Sequence, residues 1–311
     1  MGYPNFRVAI VGGSIPGLTL ALALEKSGID FVVLEAYPEM APQVGASIAV
    51  LPNGFRILDQ LGCYEHLLQR VNCTIDNFII RDSDGRVLTH VKHLDHHLVQ
   101  RHGYPMIFFE RRMVIEVLYQ HITQKEKVLT SRKVTQVEER DDGVTITTEN
   151  GEGYTADVVI GADGIHSTVG KEIWKINSER NPNDLPVQYR CLFGISEKVA
   201  GIAEDALHHV TNEGSSLFAA SGPNDRTYWC LFINTGATRH GAGADPPPFD
   251  AQAEADAVRA HAADAVTETV TFDALYRRKL TSVCTPVHEY LRAGDVALAA
   301  LHGRRRRRAQ G

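Results

Sequence analysis

The sequence predicts an α/β fold that opens with a strand–helix–strand unit. An apolar run over residues 6–11 leads into the glycine-rich turn GGSIPG at 12–17, and a leucine-rich helical stretch follows as far as Gly28. A second apolar run over 31–34 then ends at Glu35. A buried strand, a glycine turn, a helix and a second strand within about 30 residues form the context that a dinucleotide-binding fingerprint requires.

Hydrophobic periodicity and turn residues predict the elements that follow this unit. In chain order they are a helix over 52–62, a hairpin over 78–90, a helix over 110–121, strands over 128–138 and 144–148, and a strand over 154–160. The chain becomes polar and proline-containing over 177–186, which predicts a domain boundary. Beyond it, a mostly antiparallel sheet is predicted from strand-like runs at 187–195, 217–220 and 228–233. A loop at 236–250, an alanine-rich helix over 251–265 and a further strand-like stretch at 283–300 follow.

Length and composition bound the class of protein. The 311 residues are 43% hydrophobic and 23% charged, which is typical of a globular chain of one large or two medium domains. Five of the 32 basic residues stand in the run 304–308, so the rest of the chain is more acidic than the net charge of −6 and does not favour nucleic acid as a partner. Five cysteines without a Cys-x-x-Cys pair predict reduced thiols and a cytoplasmic location. No apolar run is long enough for stable membrane insertion.

The glycine-rich turn carries the first chemical prediction. Gly12 allows a tight turn and Gly17 close helix packing, while the helix N-terminus, reached through Gly13 and Ser14, offers N–H groups to a pyrophosphate. Ser14 stands where the usual pattern has its middle glycine. Glu35 occupies the position at which an acid accepts the hydroxyls of an adenosine ribose, which predicts FAD or NAD rather than NADP in this site. The alternative is an ordinary strand–helix–strand crossover with glycines for packing.

A second turn supports the nucleotide site. The strand at 158–160 runs into Gly-Ala-Asp-Gly, which places Asp163 and Gly164 just past a strand end, where open α/β sheets bind ligands. A carboxylate there is suited to ribose hydroxyls beside the pyrophosphate. The alternative is a plain Asp-Gly turn.

Several segments together resemble a known family. They are VAIVGGSIPGLTLALALEKSGIDFVVLE, GASIAVLPNGFRILDQLG, GYPMIFFERRMVIEVLY, YTADVVIGADGIHSTV and YRCLFGIS. Over residues 6 to 235 they are similar to fungal FAD-dependent monooxygenases of the p-hydroxybenzoate-hydroxylase type, in the paxilline and meroterpenoid biosynthesis group. The resemblance implies a glutathione-reductase-type (Rossmann-like) FAD domain with a β-sheet substrate domain. We assign 1–176 with 285–303 to the FAD domain, with part of 78–109 joining the substrate domain at 177–284, and 304–311 to an unstructured basic tail.

The resemblance also implies roles for particular residues. It places Glu35 on the adenosine ribose, Ala49 near the flavin and Arg111 on the cofactor, with the neighbouring Arg112 as an alternative to Arg111. It implies Arg190 and, more weakly, Tyr228 as active-site residues. The alternative for Arg190 is a surface ion pair, and for Tyr228 it is core packing beside Trp229. The histidines at 90, 93, 96 and 97 lack a cysteine partner and are expected in a solvated loop rather than a metal site.

The implied activity is hydroxylation or epoxidation of an apolar secondary metabolite, prenylated, terpenoid or aromatic. FAD, reduced by NADPH or NADH, would react with O2 through a flavin C4a-hydroperoxide. The family's third motif, a strand ending in Gly-Asp, has no counterpart after Ala299, so we expect a truncated C-terminus, and an inactive remnant of such an enzyme is the alternative. A polybasic tail with a targeting or nucleic-acid role is the alternative to truncation, and the resemblance implies membrane association for some full-length relatives. An NAD-dependent dehydrogenase is a remote third function.

Overall fold

The computed structural model describes residues 6–42, 47–71, 74–164, 166–176, 187–239, 251–288 and 299–302. The predicted boundary at 177–186, most of the loop at 236–250, and the basic tail lie outside these ranges. Within them the strands are β1 (Arg7–Val11), β2 (Asp30–Leu34), β3 (Ser47–Val50), β4 (Asn77–Arg81), β5 (Val87–Val91), β6 (Ile107–Glu110), β7 (Val128–Leu129), β8 (Val134–Arg140), β9 (Gly143–Thr148), β10 (Gly153–Ala156), β11 (Val158–Gly161), β12 (Val187–Glu197), β13 (Ala206–Asn212), β14 (Ser215–Gly222), β15 (Arg226–Arg239), β16 (Lys279–His288) and β17 (Ala299–His302).

The helices in these ranges are α1 (Ile15–Lys26), α2 (Pro52–Gln60), α3 (Tyr64–Leu68), α4 (Leu94–His102), α5 (Arg111–His121), α6 (Thr168–Ile176), α7 (Ala251–His261) and α8 (Phe272–Tyr276), and a 3₁₀ helix covers Lys125–Lys127. Most predicted elements are present. The single strand predicted over 128–138 is divided into β7 and β8, because Ser131 adopts a φ of 54° and its N–H bonds to the Tyr37 carbonyl. The alanine-rich helix ends at His261, and β13 was missing from the prediction.

The first sheet has the strand order β17-β11-β1-β2-β7. Its central strand, β1, runs parallel to both β2 and β11. Val8 and Ile10 of β1 pack against α1 and α5, whereas Ala9 and Val11 pack towards the small sheet β10-β9-β8. Burial on both faces explains the continuous apolar run. Because the three strands are parallel, the turns after β1, β2 and β11 meet at one edge of the sheet.

The larger sheet has the order β16-β12-β15-β14-β13-β4-β5. The predicted hairpin over 78–90 is β4 and β5, so this segment joins the same sheet as β12 to β16. The assigned boundary at 284/285 falls inside β16, which stays paired with β12 as far as His288. α7 and α8 contribute to the core on one face of the sheet, and β6 packs on the other face through Phe108.

A two-stranded ribbon joins the two parts of the molecule. β3 pairs antiparallel with β6, with Ser47 opposite Glu110 and Ala49 opposite Phe108. Phe109 is buried in the core around α1, and its neighbour Phe108 packs against the larger sheet. Alternation along β6 therefore fastens the ribbon to both cores.

The larger sheet buries a histidine beside an arginine. His208 is 3% exposed and Arg81 is 5% exposed. Arg81 Nε donates to His208 Nδ1 at 3.3 Å, and its Nη1 lies 2.8 Å from a Glu268 carboxylate oxygen. Burial, and to a lesser extent the nearby Arg81 charge, lower the pKa of His208 to about 4. His208 is therefore neutral in the folded protein near pH 7.

We expect this histidine to make the fold acid-sensitive. The unfolded chain binds a proton at His208 below about pH 6.5, whereas the folded chain resists it down to about pH 4. The free energy of unfolding should therefore be unaffected by His208 above pH 6.5. It should fall by roughly 3 kcal/mol as the pH is lowered to about 4. Urea unfolding at stepped pH values measures the loss. His208→Gln cannot titrate and should show a smaller loss; an unchanged pH dependence in this variant would contradict the assignment.

Candidate cofactor and active site

A cavity of about 640 Å³ lies at the edge where the turns after β1, β2 and β11 meet. Six of the residues predicted from the sequence line it, namely Gly12, Ser14, Glu35, Arg111, Asp163 and Gly164. Ala49 is not among the lining residues, but its neighbour Ile48 is. Gly13 and Gly17 support the cavity from outside its wall. The structure thus brings together residues that are up to 152 positions apart in the sequence.

The turn after β1 requires glycine for two reasons. Gly12 has a φ of 102°, and a Cβ atom there would overlap the carbonyl oxygen of Ala162. A Cβ on Gly17 would likewise overlap the carbonyl oxygen of Gly12. The second contact is within the turn, and the first is with the chain that leaves β11. These two glycines therefore let α1 begin directly behind the cavity.

The N-terminus of α1 is open towards an anion. Ser14 occupies the N-cap position, its hydroxyl makes no capping hydrogen bond, and the first turn contains no acidic residue. Arg111, the first residue of α5, donates from Nη2 to the Ser14 hydroxyl at 2.5 Å. A guanidinium and a helix N-terminus, both positive, therefore lie at one point of the cavity wall.

Glu35 stands at the end of β2 and is 8% exposed. One carboxylate oxygen accepts from the Gly13 N–H at 2.5 Å, and the other accepts from the Tyr37 N–H at 2.8 Å. The carboxylate thus ties the glycine turn to the chain after β2. Glu35 lines the cavity, and its contact with an adenosine ribose stays a prediction.

Asp163 and Gly164 differ in what they do. The Asp163 carboxylate accepts from the Ser167 hydroxyl and, at 2.7 Å, from the Thr168 N–H at the start of α6. It therefore organises its own turn and the N-terminus of α6. Gly164 has a φ of 78°, and no atom lies within 4 Å of the position that a Cβ would take. A ribose contact for Asp163 stays a prediction.

Three arginine, lysine or histidine residues of the cavity wall were not predicted. They are Arg132, Lys133 and His166. Arg132 Nε donates to the Tyr154 hydroxyl at 2.9 Å and pairs with Glu152. The two basic residues lie between β7 and β8, and no motif marks them in the sequence. Arg112, the alternative to Arg111, is not among the lining residues, and its Nε lies 3.6 Å from the Glu116 carboxylate.

The two predicted active-site residues lie on opposite faces of the larger sheet. Strand pairing sets Arg190 opposite Ile233, on the same face as Trp229, and sets Tyr228 opposite Ile195 on the other face. Trp229 packs against Phe272 of α8, at 5.2 Å between ring centroids. The structure therefore does not bring Arg190 and Tyr228 together, and the role predicted for Arg190 remains a prediction.

Tyr228 is turned towards the ribbon. Its side chain is 1% exposed, and its ring lies against Gly222, where a Cβ would overlap it. Burial raises the pKa of Tyr228, and the nearby Glu110 carboxylate raises it further. The phenol is therefore protonated. Tyr228 is thus close to Glu110, which immediately precedes Arg111 of the cavity wall in the sequence.

Half-buried aromatic side chains continue the face that carries Tyr228. We call Phe193, His209, Phe218 and Phe232 the aromatic face, since strand register puts all four on that side of the sheet. The rings of His209 and Phe218 are stacked at 4.1 Å, and Phe218 meets Phe232 edge-on at 5.9 Å. This surface is apolar and is continuous with the side on which β6 packs.

The described residues contain neither a candidate metal site nor a candidate membrane-spanning helix. No three histidine, cysteine or carboxylate side chains among them lie close enough together to hold a metal ion. In the same ranges, no helix combines the length and the apolar character needed to cross a membrane.

Comparison with known proteins identifies the family. The profile of the FAD binding domain matches residues 5–299. The chain belongs to this family. FAD is therefore the cofactor of this family, as the sequence predicted.

The curated relatives that the chain resembles are fungal FAD-dependent monooxygenases. It is 36% identical over 293 residues to olcE of Penicillium canescens and 35% identical over 300 residues to paxM of Penicillium paxilli. Each match covers 92% of this chain, but only 62% and 60% of the relative. The chain therefore spans about three fifths of the length of these proteins.

Solved structures agree in fold. p-Nitrophenol 4-monooxygenase PnpA of Pseudomonas putida matches with a TM-score of 0.72 at 20% identity, over 91% of this chain and 68% of that one. HpxO of Klebsiella pneumoniae complexed with FAD and uric acid matches with a TM-score of 0.67 at 22% identity, with the same coverage. The predicted fold class and resemblance are confirmed.

The FAD-binding family assignment fits the residues present in the cavity. The uncapped N-terminus of α1 and the Arg111 guanidinium provide positive charge for a diphosphate, and Glu35 provides an acceptor for ribose hydroxyls. Because a Cβ on Gly12 or Gly17 would overlap backbone carbonyl oxygens, only glycine at these positions lets α1 begin this close to the cavity.

Proposed function

We propose that this chain carries the FAD site and the substrate-binding sheet of a monooxygenase that uses NADPH or NADH and O2. The proposal depends on one observation: the cavity that fits FAD is joined by the ribbon to an apolar, aromatic sheet face. The names of the fungal relatives, all FAD-dependent monooxygenases, support it. Bound FAD, reduced by the nicotinamide, would supply the oxygen chemistry.

The chain's own residues hold the cofactor in this proposal. The N-terminus of α1 and Arg111 bind the diphosphate, Glu35 binds the adenosine ribose, and Asp163 fixes the turn beside them. Ala49, opposite Phe108 in the ribbon, lies between the cavity and the larger sheet, which suits a place near the flavin ring. No nucleophile or metal of the protein is required for this reaction.

The aromatic face is proposed to bind the organic substrate. Its phenylalanines favour an apolar metabolite, either a phenol-like ring for hydroxylation or a prenyl alkene for epoxidation. Tyr228 is buried between this face and Glu110 of the ribbon, so it is proposed to position β6 beside the substrate rather than to contact the substrate. A substrate that covers this face would also keep water from the reaction centre. A cytoplasmic location is proposed as well, since Cys63, Cys191 and Cys230 are not joined in disulfides.

A direct test begins with purified protein. We expect it to become yellow and to retain flavin absorbance after gel filtration with FAD, and to oxidise NAD(P)H faster when a prenylated aromatic compound is added. Protein that stays colourless would contradict the cofactor site. Retained FAD without any substrate-stimulated NAD(P)H oxidation would contradict the monooxygenase proposal.

The aromatic face has its own prediction. Phe218→Ala removes the ring that contacts both His209 and Phe232, so we expect KM for the apolar substrate to rise about tenfold, since a buried aromatic contributes roughly 1.5–3 kcal/mol. FAD retention should be unchanged. Leu88→Ala is the matched control, because Leu88 is 62% exposed on β5, the far edge of the same sheet. An equal effect of both substitutions would contradict the proposal.

A further inference from the structure

Two cysteines lie side by side on the aromatic face. In the antiparallel pair β12 and β15, Cys191 is opposite Phe232 and Cys230 is opposite Phe193. The two cysteines are therefore diagonal neighbours on one face of the sheet. Cys191 is 4% exposed and Cys230 is half-buried, and their thiols are joined by a hydrogen bond.

The two thiols are chemically unequal. The hydrogen bond from Cys191 lowers the pKa of Cys230, against the opposing effect of burial. Cys230 is also the more accessible of the two, and a thiolate rather than a thiol attacks an oxidant. Cys63 is a contrasting thiol in the same chain, because it is 0% exposed in the cofactor-side core and burial raises its pKa to about 11.

We propose that Cys191 and Cys230 are a peroxide-reactive dithiol on the substrate-facing side of the sheet. The Cys230 thiol releases a proton to solvent, and the thiolate attacks hydrogen peroxide. The O–O bond breaks, a sulfenic acid forms, and the leaving hydroxide takes up a proton from solvent to become one water. The Cys191 thiol then attacks that sulfur and displaces a second water. Two thiols lose two electrons and two protons, and one peroxide becomes two waters.

The source of the peroxide connects this dithiol with the site. The inference rests on the proposed function for the source of the peroxide and for the effect on substrate binding: a reduced flavin that reacts with O2 in the absence of substrate releases peroxide. The flavin is proposed to lie at the ribbon, which packs on the same side of the sheet as the aromatic face, so such peroxide would be released on the side that carries the dithiol. A dithiol there senses turnover that is not coupled to substrate oxygenation.

The geometry predicts that the disulfide is easily reduced. Diagonal residues of antiparallel strands have Cα atoms about 7–8 Å apart, whereas a relaxed disulfide needs about 4.4–6.8 Å. A disulfide therefore requires β12 and β15 to shift along each other locally, out of their paired register, and this strain favours reduction of the disulfide. Phe193 and Phe232, which lie directly opposite the two cysteines, move with the strands. Oxidation should therefore weaken substrate binding.

The test is a peroxide titration of the whole chain with Cys73 and Cys284 replaced by serine, followed by peptide mass spectrometry. We expect a Cys191–Cys230 disulfide to form at least about tenfold faster than any oxidation of Cys63, and dithiothreitol to reverse it. In Cys191→Ser, we expect peroxide to oxidise Cys230 to the sulfinic acid. In Cys230→Ser, we expect Cys191 to resist oxidation by peroxide. Equal oxidation of Cys63, or no 191–230 linkage, would overturn the proposal.

A second arm replaces added peroxide by FAD, NAD(P)H and air, with and without catalase. We expect the same disulfide, and less of it when catalase is present. Absence of the linkage although peroxide accumulates in solution would overturn the dithiol proposal. Absence of flavin reduction would instead contradict the proposed function, because the titration with added peroxide needs no turnover.

Discussion

Replacement of Gly12 by alanine is expected to abolish FAD retention and to lower the stability of the cofactor-binding part by about 3 to 5 kcal/mol. The new Cβ would overlap the carbonyl oxygen of Ala162, in a backbone with a φ of 102°. That backbone cannot yield easily, because the Ala162 N–H bonds to the Val11 carbonyl at 2.7 Å and so fixes β11 beside β1. Flavin absorbance after gel filtration and the melting temperature measure the two effects; we expect Tm to fall by about 10 °C.

Gly151→Ala is the matched control for Gly12→Ala. Gly151 also has a positive φ, 82°, but no atom lies within 4 Å of the position of its Cβ. Alanine there should cost only about 1 to 2 kcal/mol of backbone strain and leave FAD binding unchanged. Equal losses in the two variants would show that strain alone, and not the close approach of the two strand ends, requires glycine at position 12.

Arg111→Ala is expected to raise the Kd for FAD by about 30- to 100-fold. The guanidinium stands at the N-terminus of α1, bonded to Ser14, and a hydrogen bond to a charged group contributes about 1.5–3 kcal/mol. Lysine keeps the positive charge but lacks the planar guanidinium, so Arg111→Lys should recover only part of the affinity for FAD. Flavin fluorescence titration of the apoprotein gives the Kd values, and circular dichroism checks that the fold is retained.

Arg112→Ala controls for the loss of one positive charge in the same helical turn. Its Nε lies 3.6 Å from Glu116 and its side chain is 42% exposed, so we expect less than about a twofold change in FAD affinity. A large effect of Arg112→Ala with a small effect of Arg111→Ala would exchange the roles of the two arginines and would contradict the geometry of the cavity.

Sequence patterns predicted the cofactor side of the molecule in detail. The glycine turn, Glu35 and the Asp-Gly turn each follow a strand, and parallel strands bring their carboxyl ends to one edge. The positions of these residues were therefore predictable once the strands were recognised. Arg132 and Lys133 were not, because the chain between β7 and β8 reaches the cavity only through non-local packing.

The larger sheet shows the limit of sequence patterns more clearly. Its strands were mostly recognised, but the face on which each side chain lies depends on register, and a shift of one residue exchanges the faces. Only the pairing of β12 with β15 separates Arg190 from Tyr228 and places Cys191 beside Cys230. The hairpin β4–β5 likewise joins this sheet through pairing with β13, a strand that is more than a hundred residues away.

By itself, the sequence determined the family, the cofactor and the turn at which α1 begins, because glycine conformation and strand periodicity are local properties of the chain. The tertiary structure decided which arginine reaches the cavity, which tyrosine faces the ribbon and which thiols are neighbours. Those outcomes depend on contacts between distant segments, and no local pattern encodes the register of such contacts.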